Sequence, residues 1–196
     1  VIDNHGGLHD RITHEMHLHP FTLGETEEFF ANNGFIWNRL SIMQAYMAIG
    51  GVPYYMSLFE KNDSPATGLD RLFFSGNAEL KKEYRRLFAS LFKNPQPYLE
   101  IISLLAKHTK GLTREEISKK LNSSNNGKLG DMLTDLVYCD FLRKYNIREK
   151  KIKANSAIYQ LVDFYTIFYN TFVSKNIVEE FFWTRNVNTP EITAWY

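Results

Sequence analysis

Residues 112–145, LTREEISKKLNSSNNGKLGDMLTDLVYCDFLRKY, carry the strongest secondary-structure signals of the chain. Thr113, followed three residues later by Glu116, forms a capping box, and Leu112 and Ile117 have the spacing of a hydrophobic staple, so a helix is predicted to begin here. Beyond the polar residues 122–127, apolar side chains recur at the helical period and predict a further helix, at Leu129, Met132, Leu133, Leu136 and Val137.

The elements on either side complete an arrangement of three helices and a hairpin. An apolar helix is predicted over 98–108, before the capping box, and two strands are predicted over 141–147 and 157–161. The charged residues 148–153 join the two strands as a loop. Three helices closed by a β-hairpin are the plan of a winged helix-turn-helix, which is the prediction for this part of the chain.

The first half of the chain is predicted to be helical. Thr22 and Glu25 form a second capping box, and the Gly50-Gly51 pair is a flexible stop after a helix over 39–49. Pro53 is placed to begin the next helix, since proline suits the first helical turn. The clearest amphipathic pattern lies over 78–92, and the proline-containing residues 94–97 end that helix at a predicted domain boundary.

Composition excludes several classes of protein. The 196 residues are 44% hydrophobic and 23% charged, which is typical of a globular protein and excludes disorder, collagen and coiled coil. The net charge of +1 conceals an asymmetry, because residues 107–153 hold 12 basic and 6 acidic side chains. Residues 1–106 hold 9 basic and 12 acidic ones, and 154–196 hold 2 and 4. An electrostatic function is therefore predicted for the middle segment.

The single cysteine, Cys139, excludes an internal disulfide and a multi-thiolate metal site, and is expected to be a buried apolar residue. A reducing compartment, the cytoplasm, is predicted.

The most apolar stretch, 157–173, contains Gln160, Asp163 and Asn170 and predicts no membrane span. Because the chain begins at Val1 and not at a methionine, it is expected to be a segment of a longer protein.

Five short motifs in order resemble one known family. They are GGLHDR at 6–11, LHPFTL at 18–23, GGVPYY at 50–55, FASLFKNP at 88–95 and YQLVDF at 159–164. Together with the predicted winged helix they resemble a prokaryotic, archaeal-type family of AAA-type P-loop ATPases. Members of that family carry an ATPase core, a helical lid, a winged helix and a nuclease-like C-terminal domain.

The resemblance implies a division of the chain into the end of an ATPase core (1–20), a helical lid (21–94), a winged-helix domain (95–161) and the start of a C-terminal domain (162–196). The implied fold class is mainly α with a small β-hairpin. The sequence holds no GxxxxGK[ST] motif and no apolar strand ending in a magnesium-binding carboxylate. The chain alone is therefore not expected to hydrolyse ATP, whereas the intact protein would use ATP with magnesium.

The same resemblance implies nucleotide contacts. Gly50, Gly51 and Pro53 match a signature in which the backbone at a helix start lies against adenine, and Arg11 stands where relatives place an arginine that senses the terminal phosphate. Glycine permits close approach to a flat ring, and a guanidinium neutralises phosphoryl charge. The alternatives are a plain connector between helices, and a surface arginine paired with Asp10 or Glu15.

Basic residues of the predicted winged helix are candidates for nucleic-acid contact. Clustered cations bind phosphates without reading sequence, and Asp131 and Asp135 on the third helix disfavour base contacts. The alternative is a solvated basic face on a domain that packs against its neighbours. The candidates are Lys119, Lys120, Lys128, Arg143, Lys144, Arg148, Lys150, Lys151 and Lys153.

Five of the six histidines lie between positions 5 and 19. Alternation over 14–19 predicts a strand with Glu15, His17 and His19 on one face, a set with the chemistry to bind zinc or nickel. The preferred prediction is no metal, because two-residue spacing on a strand face is common and no supporting partner is identified. Sensitivity to pH is expected instead.

These expectations combine into one function and one alternative. The first is the lid and winged-helix portion of an ATPase acting on or near DNA, in which lid closure over nucleotide moves the winged helix. Its partners would be the rest of the ATPase chain, DNA and further copies in a ring, with no membrane. The alternative is a non-enzymatic winged-helix DNA-binding regulator or protein-interaction module with no dependence on nucleotide.

Overall fold

The computed structural model describes residues 16–122, 126–146, 157–175 and 179–196. Over these residues the chain is mainly helical with a small three-stranded antiparallel sheet, which confirms the predicted class at that level. Among the described residues, no helix is long and apolar enough to cross a membrane. The helices are α1 (Leu23–Asn32), α2 (Arg39–Ile49), α3 (Pro53–Ser57), α4 (Pro65–Leu69), α5 (Glu79–Leu91), α6 (Gln96–Ala106), α7 (Arg114–Lys120), α8 (Asn126–Tyr138), α9 (Phe164–Phe168), α10 (Phe182–Asn186) and α11 (Pro190–Thr193).

Both predicted capping boxes are confirmed. The Thr22 N–H donates to Glu25 Oε2 at 2.7 Å at the start of α1, and the Thr113 N–H donates to Glu116 Oε2 at 2.8 Å at the start of α7. In each box the threonine hydroxyl accepts from the glutamate backbone N–H at 3.3 Å. Two otherwise unpaired donors are satisfied at each helix start, which explains why these helices begin where the sequence indicates.

The sheet contains the predicted hairpin and one strand that was not predicted. Strands β2 (Leu142–Asn146) and β3 (Ala157–Leu161) pair antiparallel, as expected. The two-residue β1 (Leu112–Thr113) pairs with the other side of β3, so the order is β1-β3-β2. β1 was missed because its residues carry the staple and cap of α7 and show no alternating pattern.

The strand predicted over 14–19 is wrong for its described part, because residues 16–20 belong to no regular element. Met16 and Leu18, which the alternation would place together on the other face of that strand, are 82% and 81% exposed. A strand needs a partner for its backbone groups. From residue 16 onward, the first backbone hydrogen bond to the rest of the fold is made by Phe21, whose N–H donates to the Gly51 carbonyl at 2.7 Å.

The segment that contains Pro95 and Pro97 is a short connection between helices α5 and α6. Helix α5 ends at Leu91, Pro95 is the N-cap of α6, and the Phe92 and Tyr98 rings stack with centroids 3.8 Å apart. Buried side chains on both sides belong to one continuous apolar cluster that runs from Phe30 to Ile192. The proposed domain boundaries stay predictions.

Residues that follow β3 anchor the end of the chain to the first half. Tyr165 on α9 donates its hydroxyl to the Leu80 carbonyl at 2.6 Å, across 85 residues. Tyr169, in the π-helical turn Tyr169–Val173, stacks on Tyr84 of α5 with ring centroids 3.6 Å apart. Of the aromatic side chains in this segment, Tyr165, Phe168 and Phe172 are buried, whereas Phe164 and Tyr169 are half-buried.

Candidate functional site

The turn between α2 and α3 has the geometry that glycine permits. Gly50 has φ +67°, in the left-handed region, and Pro53 begins α3 as predicted. A Cβ atom added at Gly51 would overlap the carbonyl of Phe21 and lie 2.6 Å from its nitrogen. The close backbone approach that the resemblance assigns to adenine is thus made, in this structure, with residue 21 of the same chain.

A cavity of about 550 Å³ lies beside this turn. Its wall combines Gly50 and Gly51 with Arg143 and Lys144 of β2, so that two predicted nucleotide residues and two predicted nucleic-acid residues border one space. Pro53 is not part of this wall. The remaining lining residues come from the segment before α1, from α2 and from the ends of α8, β2 and β3, and are His19, Pro20, Tyr46, Val137, Asp140, Leu142, Val162, Asp163 and Phe164.

The cavity wall offers an aromatic pair and a half-buried carboxyl group. The Tyr46 and Phe164 rings meet edge to face with centroids 5.5 Å apart, and the Tyr46 hydroxyl donates to the Phe21 carbonyl at 3.0 Å. Asp163 is the N-cap of α9 and accepts from the Thr166 N–H at 2.7 Å. Burial raises the pKa of Asp163, as it raises the pKa of Tyr46, because a low dielectric disfavours the charged forms.

Two described candidates for nucleic-acid contact lie on β2, an edge strand of the sheet. Arg143 and Lys144 are exposed. The Arg143 guanidinium lies 5.9 Å from the Tyr145 ring centroid, and the Lys144 ammonium lies 5.9 Å from that of Tyr159. Edge strands of soluble proteins commonly carry such charges, which block pairing with other chains, so this placement also fits a purely structural role.

The other described candidates lie on two helices. Lys119 and Lys120 are exposed in the last turn of α7, where positive charge also interacts favourably with the helix dipole. Lys128 is exposed in the first turns of α8. Arg148, Lys150, Lys151 and Lys153 lie outside the described residues, as does Arg11.

The outer face of α8 carries carboxylates, as the sequence indicated. Asp131 and Asp135 are both exposed. Asp135 Oδ2 accepts from the Tyr98 hydroxyl at 2.6 Å, which ties α8 to the start of α6. Negative charge on this face would repel phosphates, which disfavours base contacts by the described part of α8.

Two of the predicted histidines meet a residue that the sequence analysis did not single out. His17 Nε2 lies 2.9 Å, and His19 Nδ1 3.0 Å, from Asp140 Oδ2, and the two imidazole rings stack with centroids 4.4 Å apart. Glu15, their predicted neighbour, lies outside the described residues. The available signal for Asp140 was its position just after the last apolar residue of α8, where helices often end in a left-handed residue.

Cys139 differs from its prediction, since it is half-buried and borders a second cavity. Burial raises the pKa of its thiol, and the nearby Asp135 carboxylate acts in the same direction. Both effects disfavour the thiolate, which is the reactive form of cysteine.

Comparisons of the chain with family models, with curated proteins and with solved structures gave no match.

Proposed function

We propose that this chain is the lid and winged-helix portion of an AAA-type ATPase, which binds ATP with magnesium and acts on or near DNA. One observation carries the proposal: the Gly50-Gly51 turn and the cations Arg143 and Lys144 border the same 550 Å³ cavity. Sites for small molecules have volumes of about 300–1,000 Å³. The motif order and the element order α6-β1-α7-α8-β2-β3 support the winged-helix part.

The lining of the cavity suits an adenine nucleotide. Such a ligand is a flat ring joined to a polyanion, and the cavity offers the edge-to-face pair Tyr46 and Phe164. Its charged lining groups are the cations Arg143 and Lys144 and the carboxyl groups of Asp140 and Asp163. Buried aromatic surface favours the ring, and guanidinium and ammonium groups favour the phosphates. In the intact protein a P-loop would hold the phosphates and magnesium, and Arg11 would sense the terminal phosphate.

The position of the cavity suggests how nucleotide would affect the rest of the chain. Part of its lining belongs to α2 and its glycine turn, and another part to the end of α8 and to β2. A ligand with different affinities for open and closed arrangements of these walls shifts the equilibrium between them. Nucleotide binding would thereby move the sheet and α8 relative to the first helices.

The test uses the protein expressed from its complete reading frame. Dissociation constants for ATP are measured by titration calorimetry for the wild type, for Arg143→Ala/Lys144→Ala and for the matched pair Lys119→Ala/Lys120→Ala. Loss of charge-assisted hydrogen bonds predicts at least about a 10-fold weaker affinity for the first variant. The second variant should match the wild type. Equal affinities of all three proteins would contradict the nucleotide site.

A DNA-binding regulator without nucleotide dependence is the second candidate, favoured by the exposed Arg143 and Lys144 on the edge strand β2. Its distinguishing property is an affinity for duplex DNA that is the same with and without ATP. DNA affinity should fall with salt, with a slope of about −0.9 per phosphate contacted. A partner-binding module would instead leave DNA affinity undetectable at every salt concentration.

A further inference from the structure

A three-residue cluster joins the segment before α1 to the turn after α8. His17 Nε2 and His19 Nδ1 approach the same oxygen, Asp140 Oδ2, at 2.9 and 3.0 Å. One ligand atom from each residue lies within 4.8 Å of the other two. The contact spans more than 120 residues of sequence, so the tertiary fold alone brings these groups together.

The backbone on the Asp140 side holds the carboxylate in a defined turn. Helix α8 ends in a Schellman motif, in which the Asp140 N–H donates to the Val137 carbonyl at 3.2 Å and the Phe141 N–H to the Leu136 carbonyl at 3.0 Å. Asp140 has φ +60°, in the left-handed region where glycine is the usual residue. A side chain is thus kept at a position that helices generally give to glycine.

The histidine side is held by contacts at both ends of its short segment. The Phe21 N–H donates to the Gly51 carbonyl at 2.7 Å, which fixes the chain just after His19. The His17 ring packs at a tilt against Tyr138, with centroids 5.6 Å apart. The two imidazoles are therefore held against the end of α8 by contacts that do not depend on their own hydrogen bonds.

We propose that His17, His19 and Asp140 form a binding site for a divalent transition-metal ion of the zinc class. Imidazole nitrogens and one carboxylate are ligands that Zn²⁺ prefers, whereas Mg²⁺ and Ca²⁺ require more oxygen ligands. Zn–N and Zn–O bonds of about 2.0–2.2 Å place tetrahedral ligand atoms roughly 3.4 Å apart. Small side-chain rotations convert the present spacing to that one.

The site is open and would retain a position for water. The side chains of His17, His19 and Asp140 are 40%, 68% and 38% exposed, so an ion reaches all three from solvent. Three protein ligands leave a fourth coordination position free. The site also lies between two cavities, since His17 and Asp140 border one and His19 and Asp140 border the other. The ion would join the segment at 16–20 to the α8–β2 turn.

The experiment titrates Zn²⁺ into the full 196-residue chain and follows binding by calorimetry, with Co²⁺ absorption as a report on tetrahedral coordination. We expect one ion per chain and no displacement of that ion by excess Mg²⁺. The affinity for Zn²⁺ should be at least about 10–100-fold weaker in His17→Gln, His19→Gln and Asp140→Asn, because loss of a residue that only hydrogen-bonds a metal ligand already costs that much. Asparagine tolerates the left-handed backbone, and Asp140→Gly, which removes the ligand without steric cost, is a second variant.

Two control variants identify which histidines bind the ion. His108→Gln changes a histidine whose Nδ1 lies 2.8 Å from the Leu104 carbonyl, far along the chain from the cluster. The triple variant changes the other three N-terminal histidines and is His5→Gln/His9→Gln/His14→Gln. Both should keep the affinity of the wild type. The proposal is overturned if the triple variant loses the ion while Asp140→Asn and Asp140→Gly keep it, or if no ion binds to the wild type.

Discussion

Phe21 and Gly51 are joined backbone to backbone, since the Phe21 N–H donates to the Gly51 carbonyl at 2.7 Å and no Cβ atom fits between them. This contact fixes the segment that carries His17 and His19 against the turn between α2 and α3. It also gives Gly51 a structural role in the fold, so a loss of ligand affinity in a Gly51 variant would not by itself identify a nucleotide contact.

Substitution Gly51→Ala should destabilise the protein. The added methyl group overlaps the Phe21 backbone, and overpacking of this kind costs about 1–3 kcal/mol. The measurement is the free energy of unfolding from urea denaturation. Gly76→Ala is the matched control, because a Cβ atom there meets nothing within 4 Å, and its unfolding free energy should change by less than about 0.5 kcal/mol. Equal stabilities of the two variants would contradict the close packing at Gly51.

Asp70→Asn should loosen the C-terminal part of the chain. The buried Asp70 carboxylate accepts from the Trp183 N–H at 2.6 Å, and from the Thr184 N–H at 3.0 Å and hydroxyl at 2.6 Å. An amide offers one oxygen in place of two, so a buried donor loses its acceptor at a cost of about 1–3 kcal/mol. The free energy of unfolding and the protection of the Trp183 amide from hydrogen exchange should both fall. Asp131→Asn, on the exposed face of α8, should leave the unfolding free energy and this protection unchanged.

Thr113→Ala should remove the N-cap of α7 and cost about 1 kcal/mol of unfolding free energy. Thr134→Ala provides the comparison, because the Thr134 hydroxyl only donates back to the Gly130 carbonyl of its own helix, and alanine is the better helix former. Thermal denaturation of both variants checks the difference. A midpoint for Thr113→Ala that equals that of Thr134→Ala would show that the cap contributes nothing.

Acid should remove the contribution of Glu116 to the same cap. The backbone and hydroxyl of Thr113 donate to its carboxylate, which lowers the pKa of Glu116 from 4.5. A carboxyl group whose pKa is lowered on folding stabilises the protein above its unfolded pKa, and loses that effect as the pH falls through the folded pKa. The stability difference between wild type and Glu116→Gln should therefore be constant above about pH 5.5 and shrink below pH 4.5.

Urea denaturation at a series of pH values measures that difference. Glu115→Gln is the control, since Glu115 is exposed one residue earlier in the same helix turn. Glu115→Gln leaves both hydrogen bonds from Thr113 to the Glu116 carboxylate in place, so this variant should keep the acid-dependent loss of the cap. A difference for Glu116→Gln that stays the same down to pH 3 would contradict the charged form of the capping box.

Salt dependence should reveal whether β2 contacts phosphates. If Arg143 and Lys144 each neutralise one phosphate, their joint replacement by alanine should reduce the slope of log affinity against log salt by about 1.8 in magnitude. Fluorescence anisotropy with a labelled duplex at several salt concentrations gives the slopes. The Lys119→Ala/Lys120→Ala variant tests α7 in the same way, and an unchanged slope for both pairs would exclude them from the DNA interface.

Local sequence determined most of the helical architecture. The capping boxes at Thr22 and Thr113, the proline at 53 and the apolar period of α8 predict helix starts and faces that the structure confirms. These signals work because hydrogen bonds and side-chain contacts within one or two helical turns depend only on near neighbours. The pairing of β2 with β3 was predicted from two neighbouring strands and the charged residues between them.

Only the tertiary structure decided which distant groups meet. Pairing of β1 with β3, the burial of Asp70 against Trp183 and the meeting of His17 with Asp140 each join residues far apart in sequence. No local period marks such contacts, because they depend on how the helices pack. The local pattern therefore indicated the histidines but placed them on a strand, and it indicated the glycine turn without the backbone of Phe21, which lies against Gly51.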